Sequence, residues 1–285
     1  MPTPSELQRP VLLYHGGKWL LAPWIIGLFP GHRNYVEPYG GAGSVLLRKP
    51  RSFCEVYNDM DGEVVNLFRV LRDRETCLKL CDQLSLTPFA RDEFEAARDI
   101  SADPVERARQ LVVRSYFGFA GTGMLNVNYR TGFRACKRTG RPHAGDWVNF
   151  PECLWSVTER LHGVTIENRD AVDIIQQQDD TTTLFYVDPP YLADTRNSAS
   201  KQYAFEMTDL DHVRLAVALK ACKGKVMLSG YASDLYDELY SGWYRQEREH
   251  HTGGQSGSVM RTEILWMNYE PRTSPLQGVP TDLPL

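Results

Sequence analysis

Asp188-Pro189-Pro190-Tyr191 follows directly on an apolar run, Leu184 to Val187. A carboxylate and a proline carbonyl at such a strand end can each accept a hydrogen bond from one amino group, because proline lacks only the backbone donor. With both amino hydrogens held, the nitrogen lone pair can be drawn out of conjugation and aimed at an electrophilic carbon, which is catalysis by proximity and orientation. The two prolines stiffen the backbone around that grip, and Tyr191 offers a ring to stack on whatever carries the amino group. The alternative is a rigid turn with a capping Asp.

A second constellation lies upstream. Around Glu37-Pro38-Tyr39-Gly40-Gly41-Ala42-Gly43-Ser44, a short strand end, Tyr35 to Tyr39, passes through Gly40 to Gly43 into a helix start at Ser44 to Arg48. Glycines let a ligand approach the backbone, and a helix start presents free N-H groups. Asp59 closes the next strand, Phe53 to Tyr57, where an acid can accept from a ribose hydroxyl. Its competing role is to cap the helix beginning near Met60 to Gly62. Taken alone, the glycine turn also fits a dinucleotide-binding dehydrogenase.

The elements that must position these groups alternate between strand and helix. Helical spacing runs from Gly62 through Val64, Val65, Leu67, Phe68 and Leu71, and mostly helical sequence covers about 74 to 117, with breaks at Thr87-Pro88 and Asp103-Pro104. Gly118 to Gly145 reads as loops around a β-hairpin, and Phe150 to His162 is helical again. Strands Val164 to Glu167 and Thr183 to Val187 flank a helix from Ala171 to Gln177. Helix Asp209 to Ala221, strand Lys225 to Ser229, a helix near Ser233 to Tyr240, and strands near Trp243 to Arg248 and Thr262 to Met267 complete the pattern. A Pro-rich tail, 271–285, should be loose. The sum is an α/β fold, a parallel-type sheet over 1–73 and 164–270 with a mainly helical insertion over 74–163, and such sheets bind ligands at the carboxyl ends of their strands.

The 285 residues carry 32 Lys and Arg against 36 Asp and Glu, a net charge of -4, which argues against wholesale coating of a polyanion. The distribution is uneven. From Arg107 to Gly145 there is no Asp or Glu, while Arg107, Arg109, Arg114, Arg130, Arg134, Lys137, Arg138 and Arg141 fall inside. That run is either a local basic face for nucleic acid or a charged face paired to acids elsewhere in the fold. The six cysteines include no CxxC pair, so reduced core thiols are expected and zinc is not. With no secretory leader pattern and no apolar run of about 18 residues, the chain reads as cytoplasmic and free of the membrane.

Four blocks, in order, resemble the Dam-type (D12 class, alpha order) DNA N6-adenine methyltransferases. Tyr14-His15-Gly16-Gly17-Lys18 resembles the family's N-terminal cofactor block and Glu37 to Ser44 its glycine-rich AdoMet loop. Asn58-Asp59 with Asn66-Leu67-Phe68 resembles its ribose-binding acid and following helix, and Asp188 to Tyr191 its DPPY motif. The resemblance implies a Rossmann-like AdoMet-dependent methyltransferase sheet with an inserted, mainly helical DNA-recognition domain containing a basic β-hairpin. It implies S-adenosyl-L-methionine as methyl donor, double-stranded DNA as partner and no metal; apart from the resemblance, a monomer is the expected state. Tyr14, Lys18, Pro38, Tyr39, Gly40, Gly41, Ala42, Gly43, Asp59 and Asp188 would line the cofactor pocket. Asp188, Pro189, Pro190 and Tyr191 would hold an adenine flipped from the duplex, with Tyr191 stacked on it. Arg130, Arg134, Lys137, Arg138 and Arg141 would contact DNA, near Tyr116 to Phe119. Tyr14 stands where the family usually has Trp, and Gly41 where it has Phe or Val. Gly253-Gly254 through Glu263 resembles a further family loop and strand to which no role is assigned. The chief rival is transfer to cytosine N4 or to RNA, and a DNA-binding protein that has lost catalysis is a third reading.

Overall fold

The computed structural model describes residues 7, 9–14, 16–118, 132–135, 143–195, 205–254 and 257–271. Seven strands form one sheet: β1 Asn34–Glu37, β2 Cys54–Asn58, β3 Val164–Glu167, β4 Thr183–Val187, β5 Lys225–Gly230, β6 Tyr244–Gly254 and β7 Gly257–Met267. Their order is β3-β2-β1-β4-β5-β7-β6. The first five are parallel, and β7 runs antiparallel to both β5 and β6. Winding proceeds outward from β1 to β3, then restarts beside β1 with β4, so a crevice opens at the carboxyl ends of β1 and β4. This is the Rossmann-like sheet the sequence implies.

β4 is buried along its whole length, as suits a strand covered on both faces. Alternate residues serve the two sides. Tyr35, Tyr57, Leu184, Tyr186 and Met227 join one core, and Val36, Val56, Phe185, Val187 and Leu228 the other.

The helices are α1 Ala22–Gly27, α2 Ser44–Arg48, α3 Gly62–Arg72, α4 Arg74–Leu86, α5 Arg91–Ala96, α6 Pro104–Phe117, α7 His143–Val148, α8 Leu154–Leu161, α9 Ala171–Gln178, α10 Asp209–Ala221 and α11 Asp234–Leu239. Short polar residues start most of the long ones. Asp61, Asp73 and Asp103 cap α3, α4 and α6 through backbone N-H groups, Asp170 caps α9, and Thr208 forms a capping box with Asp211 on α10.

Residues 74–163 share their core with the sheet. Leu80, Leu111, Trp147 and Leu154 belong to the same buried cluster as Tyr35, Leu46 and Tyr57. Three differences from the sequence reading stand out. Helix α7 begins at His143, inside the stretch read as loop, because buried Trp147 stacks on Phe150 at 5.5 Å and donates its indole N-H to the Thr87 carbonyl. Helix α1, anchored by buried Ala22 and Ile25, was not read from the sequence, where its one local signal is Pro23 in the first turn. Strands β6 and β7 run eleven residues each, past the sheet edge, because beyond Glu247 they pair only with each other. Of the expected hairpin the described residues hold one antiparallel bridge, Gly118 to Phe133. The expected loose tail lies outside them beyond residue 271. Among the described residues no helix is long and apolar enough to cross a membrane.

Candidate active site

The glycine turn is held by the end of the neighbouring strand. Gly40 N-H donates to the Asn58 carbonyl at 2.8 Å, Tyr57 hydroxyl donates to the Gly41 carbonyl at 2.6 Å, and Asn58 Nδ2 donates to the Pro38 carbonyl at 2.8 Å. Gly41 and Gly43 adopt φ values of 48° and 63°, the left-handed region that other residues reach only with strain. At Gly40 the constraint is space: a Cβ would fall 2.1 Å from the Tyr57 ring. The Tyr14 ring packs against Gly41, within 3.1 Å of where a Cβ would stand, filling the space that a larger residue at 41 would take.

Asp59 Oδ2 accepts from Gly41 N-H and Oδ1 from Asp61 N-H, both at 2.8 Å. Asp61, not Asp59, caps the following helix. The Asp59 carboxylate therefore shapes the glycine turn while keeping lone pairs for a ligand hydroxyl. Burial pushes its pKa up to about 6. Glu37, also facing the cleft, accepts at one oxygen from the Tyr35 hydroxyl at 2.9 Å and Leu46 N-H at 3.0 Å, and burial raises it to about 8.

Asp188 sits at the carboxyl end of β4, its side chain 18% exposed. Lys18 Nζ lies 2.9 Å from Oδ2, and Ser229 Oγ donates to Oδ1 at 2.7 Å. Burial raises the Asp188 pKa, opposed by Lys18 and assisted by Glu263. Lys18 is itself buried and donates to the Gly16 carbonyl at 2.8 Å.

One cleft collects these groups. It is lined by Tyr14, Gly16 to Lys18, Glu37, Tyr39 to Ala42, Asp59, Asp188, Pro189 and Pro190, closed on the far side by Asp170, Met207 and Arg214. Arg214 and Asp170 are paired at 2.9 Å through both carboxylate oxygens. Pro38 and Gly43, expected to line it, belong to the same turn and are not among its lining residues.

Tyr191 departs from the expectation. It is 5% exposed and does not line the cleft. Its hydroxyl donates to Glu263, its ring lies beneath Lys18 Nζ at 4.8 Å and packs edge-on with Tyr231 at 4.7 Å. The ring is not offered for stacking in this arrangement; the polar tip is drawn inward by a buried acid. Sequence reasoning missed Glu263 and Ser229 as site residues. Glu263 lay in a stretch noticed only as similar to a family strand, and Ser229 merely ends an apolar strand.

The basic run divides. Arg107 and Arg114 pair with Glu63, and Arg109 with Glu106 and Glu93, so these three stitch helices together rather than form a free face. Arg134 is half-buried, its backbone N-H bonded to the Phe117 carbonyl at 2.7 Å and its neighbour Phe133 packed on Phe89, Phe94 and Phe117. Arg130, Lys137, Arg138 and Arg141 lie outside the described residues.

A doubly wound sheet with its cleft at the strand reversal defines an α/β protein whose ligands bind in that crevice. The profile described as D12 class N6 adenine-specific DNA methyltransferase matches residues 14–254, and the chain belongs to that family. It is 29% identical over 279 residues to Type II methyltransferase M1.LlaDCHI of Lactococcus lactis subsp. cremoris, covering 92% of this chain and 95% of that one. It is 26% identical to the DNA adenine methylase of Salmonella typhi, covering 85% and 86%. With Type II methyltransferase M.MjaIII of Methanocaldococcus jannaschii it shares 27%, over 82% and 89%.

Proposed function

We propose that this methyltransferase binds S-adenosylmethionine against the glycine turn and transfers its methyl group to N6 of an adenine extruded from duplex DNA, with the insertion over 74–163 engaging the duplex and the catalytic part, 1–73 and 164–270, performing transfer as a cytoplasmic monomer. The observation that carries this reading is the sharing of one cleft by the Gly40 to Gly43 turn, Asp59 and Asp188.

The residues present fit the donor. The turn offers a cradle without side chains at Gly40 and Gly41, Asp59 keeps acceptor capacity for a ribose hydroxyl, and the Tyr14 ring walls the same space. S-adenosylmethionine supplies an electrophilic methyl on a sulfonium. The chain supplies position. Asp188 and the Pro189 carbonyl accept the two hydrogens of the target amino group and turn its lone pair toward the cleft. Asp188 need not be a strong base, because the amine proton becomes acidic only as the new bond forms; its charge steadies the positive nitrogen until that proton leaves to solvent. In the duplex one N6 hydrogen is engaged in base pairing and the ring is held in the stack, so the adenine must leave it before both hydrogens can be gripped. Arg134, with Arg130, Lys137, Arg138 and Arg141, supplies cationic contacts to phosphates or bases.

Nucleoside mass spectrometry of unmethylated plasmid after incubation with protein and S-adenosylmethionine tests this. N6-methyladenine is the expected product. N4-methylcytosine, or methylation of RNA alone, would overturn the adenine assignment, and donor binding without any product would overturn catalysis.

A further inference from the structure

Glu263, on β7, is 1% exposed and stands behind the cleft with no part in the chemistry described so far. Its Oε1 receives the Tyr191 hydroxyl and lies 3.7 Å from Lys18 Nζ; its Oε2 lies 3.5 Å from His250 Nε2 on β6. Tyr191 has one proton and two carboxylates in reach, Glu263 and, at 3.1 Å, Asp188 Oδ1. The shorter contact goes to Glu263. Ser229 then donates to Asp188 Oδ1 and accepts from the Tyr186 hydroxyl at 3.3 Å, while Lys18 serves Oδ2.

A carboxylate offers about four lone-pair directions. With the Tyr191 proton turned to Glu263, Asp188 spends two of them on Ser229 and Lys18 and keeps the others for an incoming amino group. Were Glu263 neutral, the Tyr191 proton would turn to Oδ1, so that three of the four directions would be spent from within and one left for the amino group.

We propose that Glu263 is a positioning residue of the methyl transfer, which by claiming the Tyr191 proton and part of the Lys18 charge keeps Asp188 open as an acceptor for the target amino group. The proposal rests on the reading of Asp188 as that acceptor. The charged and titratable groups around the pair are Lys18 from the N-terminal segment, Glu37 on β1, Tyr186 on β4, Tyr191 after it, Tyr231 after β5, His250 on β6, and Arg261 on β7, whose guanidinium lies over the Tyr231 ring at 5.3 Å.

The test is single-turnover methyl transfer by E263Q on a DNA duplex carrying the enzyme's site, across pH, beside D188N and wild type, with S-adenosylmethionine affinity by calorimetry and thermal melting alongside. Transfer by E263Q should fall about ten- to a hundredfold with cofactor affinity within about threefold, since one charge-assisted hydrogen bond is lost. Asp188 accepts most strongly, and steadies the positive nitrogen, as a carboxylate, and removing a like charge beside it eases its ionisation. The acid limb of the E263Q profile should therefore move to lower pH by about one unit. A residue that merely packs β7 would leave that limb in place. E263D, which restores the charge on a shorter arm, should recover the wild-type limb and most of the rate, and it carries the test if E263Q does not fold. Wild-type rate and an unmoved limb in E263Q, with D188N inactive, would overturn the role of Glu263 alone. D188N at near wild-type rate would overturn the reading of Asp188 and this proposal with it.

Discussion

Two buried ion clusters in this molecule use the same ingredients to opposite ends. At the lower side of the sheet Glu55 on β2 meets two cations. Its Oε1 accepts from Lys49 Nζ at 2.5 Å and Arg160 Nη2 at 2.8 Å, and its Oε2 from Arg160 Nη1 at 2.6 Å. Ser52 N-H adds a fourth bond at 3.1 Å. Although burial alone would raise its pKa, Arg160 and Lys49 hold Glu55 below the usual carboxylate range. At the cleft, one cation, Lys18, faces two acids, Asp188 and Glu263, and burial with like charge leaves Asp188 above that range. A saturated acid is a fastener. An acid with lone pairs to spare, on the wall of a cleft, is a binding group.

The comparison breaks most easily at the saturated end. Glu55→Ala would strand Lys49 and Arg160 in the core and should cost about 3–5 kcal/mol of stability, read from urea unfolding. Cofactor affinity of whatever remains folded should be unchanged. Asp188→Asn should invert that result, with unfolding within about 1 kcal/mol of wild type and transfer of labelled methyl slowed about 10²- to 10³-fold. A collapse in stability there would make Asp188 a second fastener.

Glu37 sharpens the contrast as a buried acid whose hydrogen-bond partners are a hydroxyl and an amide. Its pKa rises on folding from 4.5 to about 8, so the folded state binds the extra proton between those values. Stability from this group is full below about 4.5 and is lost as pH climbs through 8. Glu37→Gln, which keeps the shape of the neutral acid, should remove that loss, so that the variant gains on wild type between pH 5 and 8 by on the order of 3 kcal/mol. Parallel pH curves would show that Glu37 is ionised in the fold.

Gly40→Ala tests whether the turn needs its bare backbone. The Cβ would meet the buried Tyr57 ring, so a loss of about 1–3 kcal/mol in stability and weaker S-adenosylmethionine binding by calorimetry are expected. The smallest effect belongs to Arg109→Ala. Its pairs with Glu93 and Glu106 are part-exposed, so stability should move by less than about 1 kcal/mol and the salt dependence of DNA binding should not move at all. A shallower salt slope would return Arg109 to the DNA face.

Legibility followed distance along the chain. The helix over Asp209 to Ala221 and the strands at β3 and β4 were readable as unbroken runs free of Gly and Pro, the first rich in helix formers and the others in β-branched and aromatic residues. Helices α1 and α7, six residues each, are too short for a period to show and owe their form to packing. The same division runs through the site. Glycine turn, Asp59 and Asp188 to Tyr191 announced themselves as contiguous motifs, whereas Glu263 is a single acid in a strand whose burial no neighbour reveals.

By itself, then, the sequence determined the local conformations: strand ends with acids, a turn that only glycine allows, helices with their caps, and a motif able to hold an amino group. Only the tertiary structure decided what each charge does. Arg107, Arg109 and Arg114 became fasteners because Glu63, Glu93 and Glu106 stand opposite them, and Tyr191 turned inward because Glu263, from the far end of the chain, lies beneath it. The physical reason is range. Backbone conformation is governed by residues a few positions away, but the state of a buried charge depends on partners brought within about 4 Å by the packing of the whole chain.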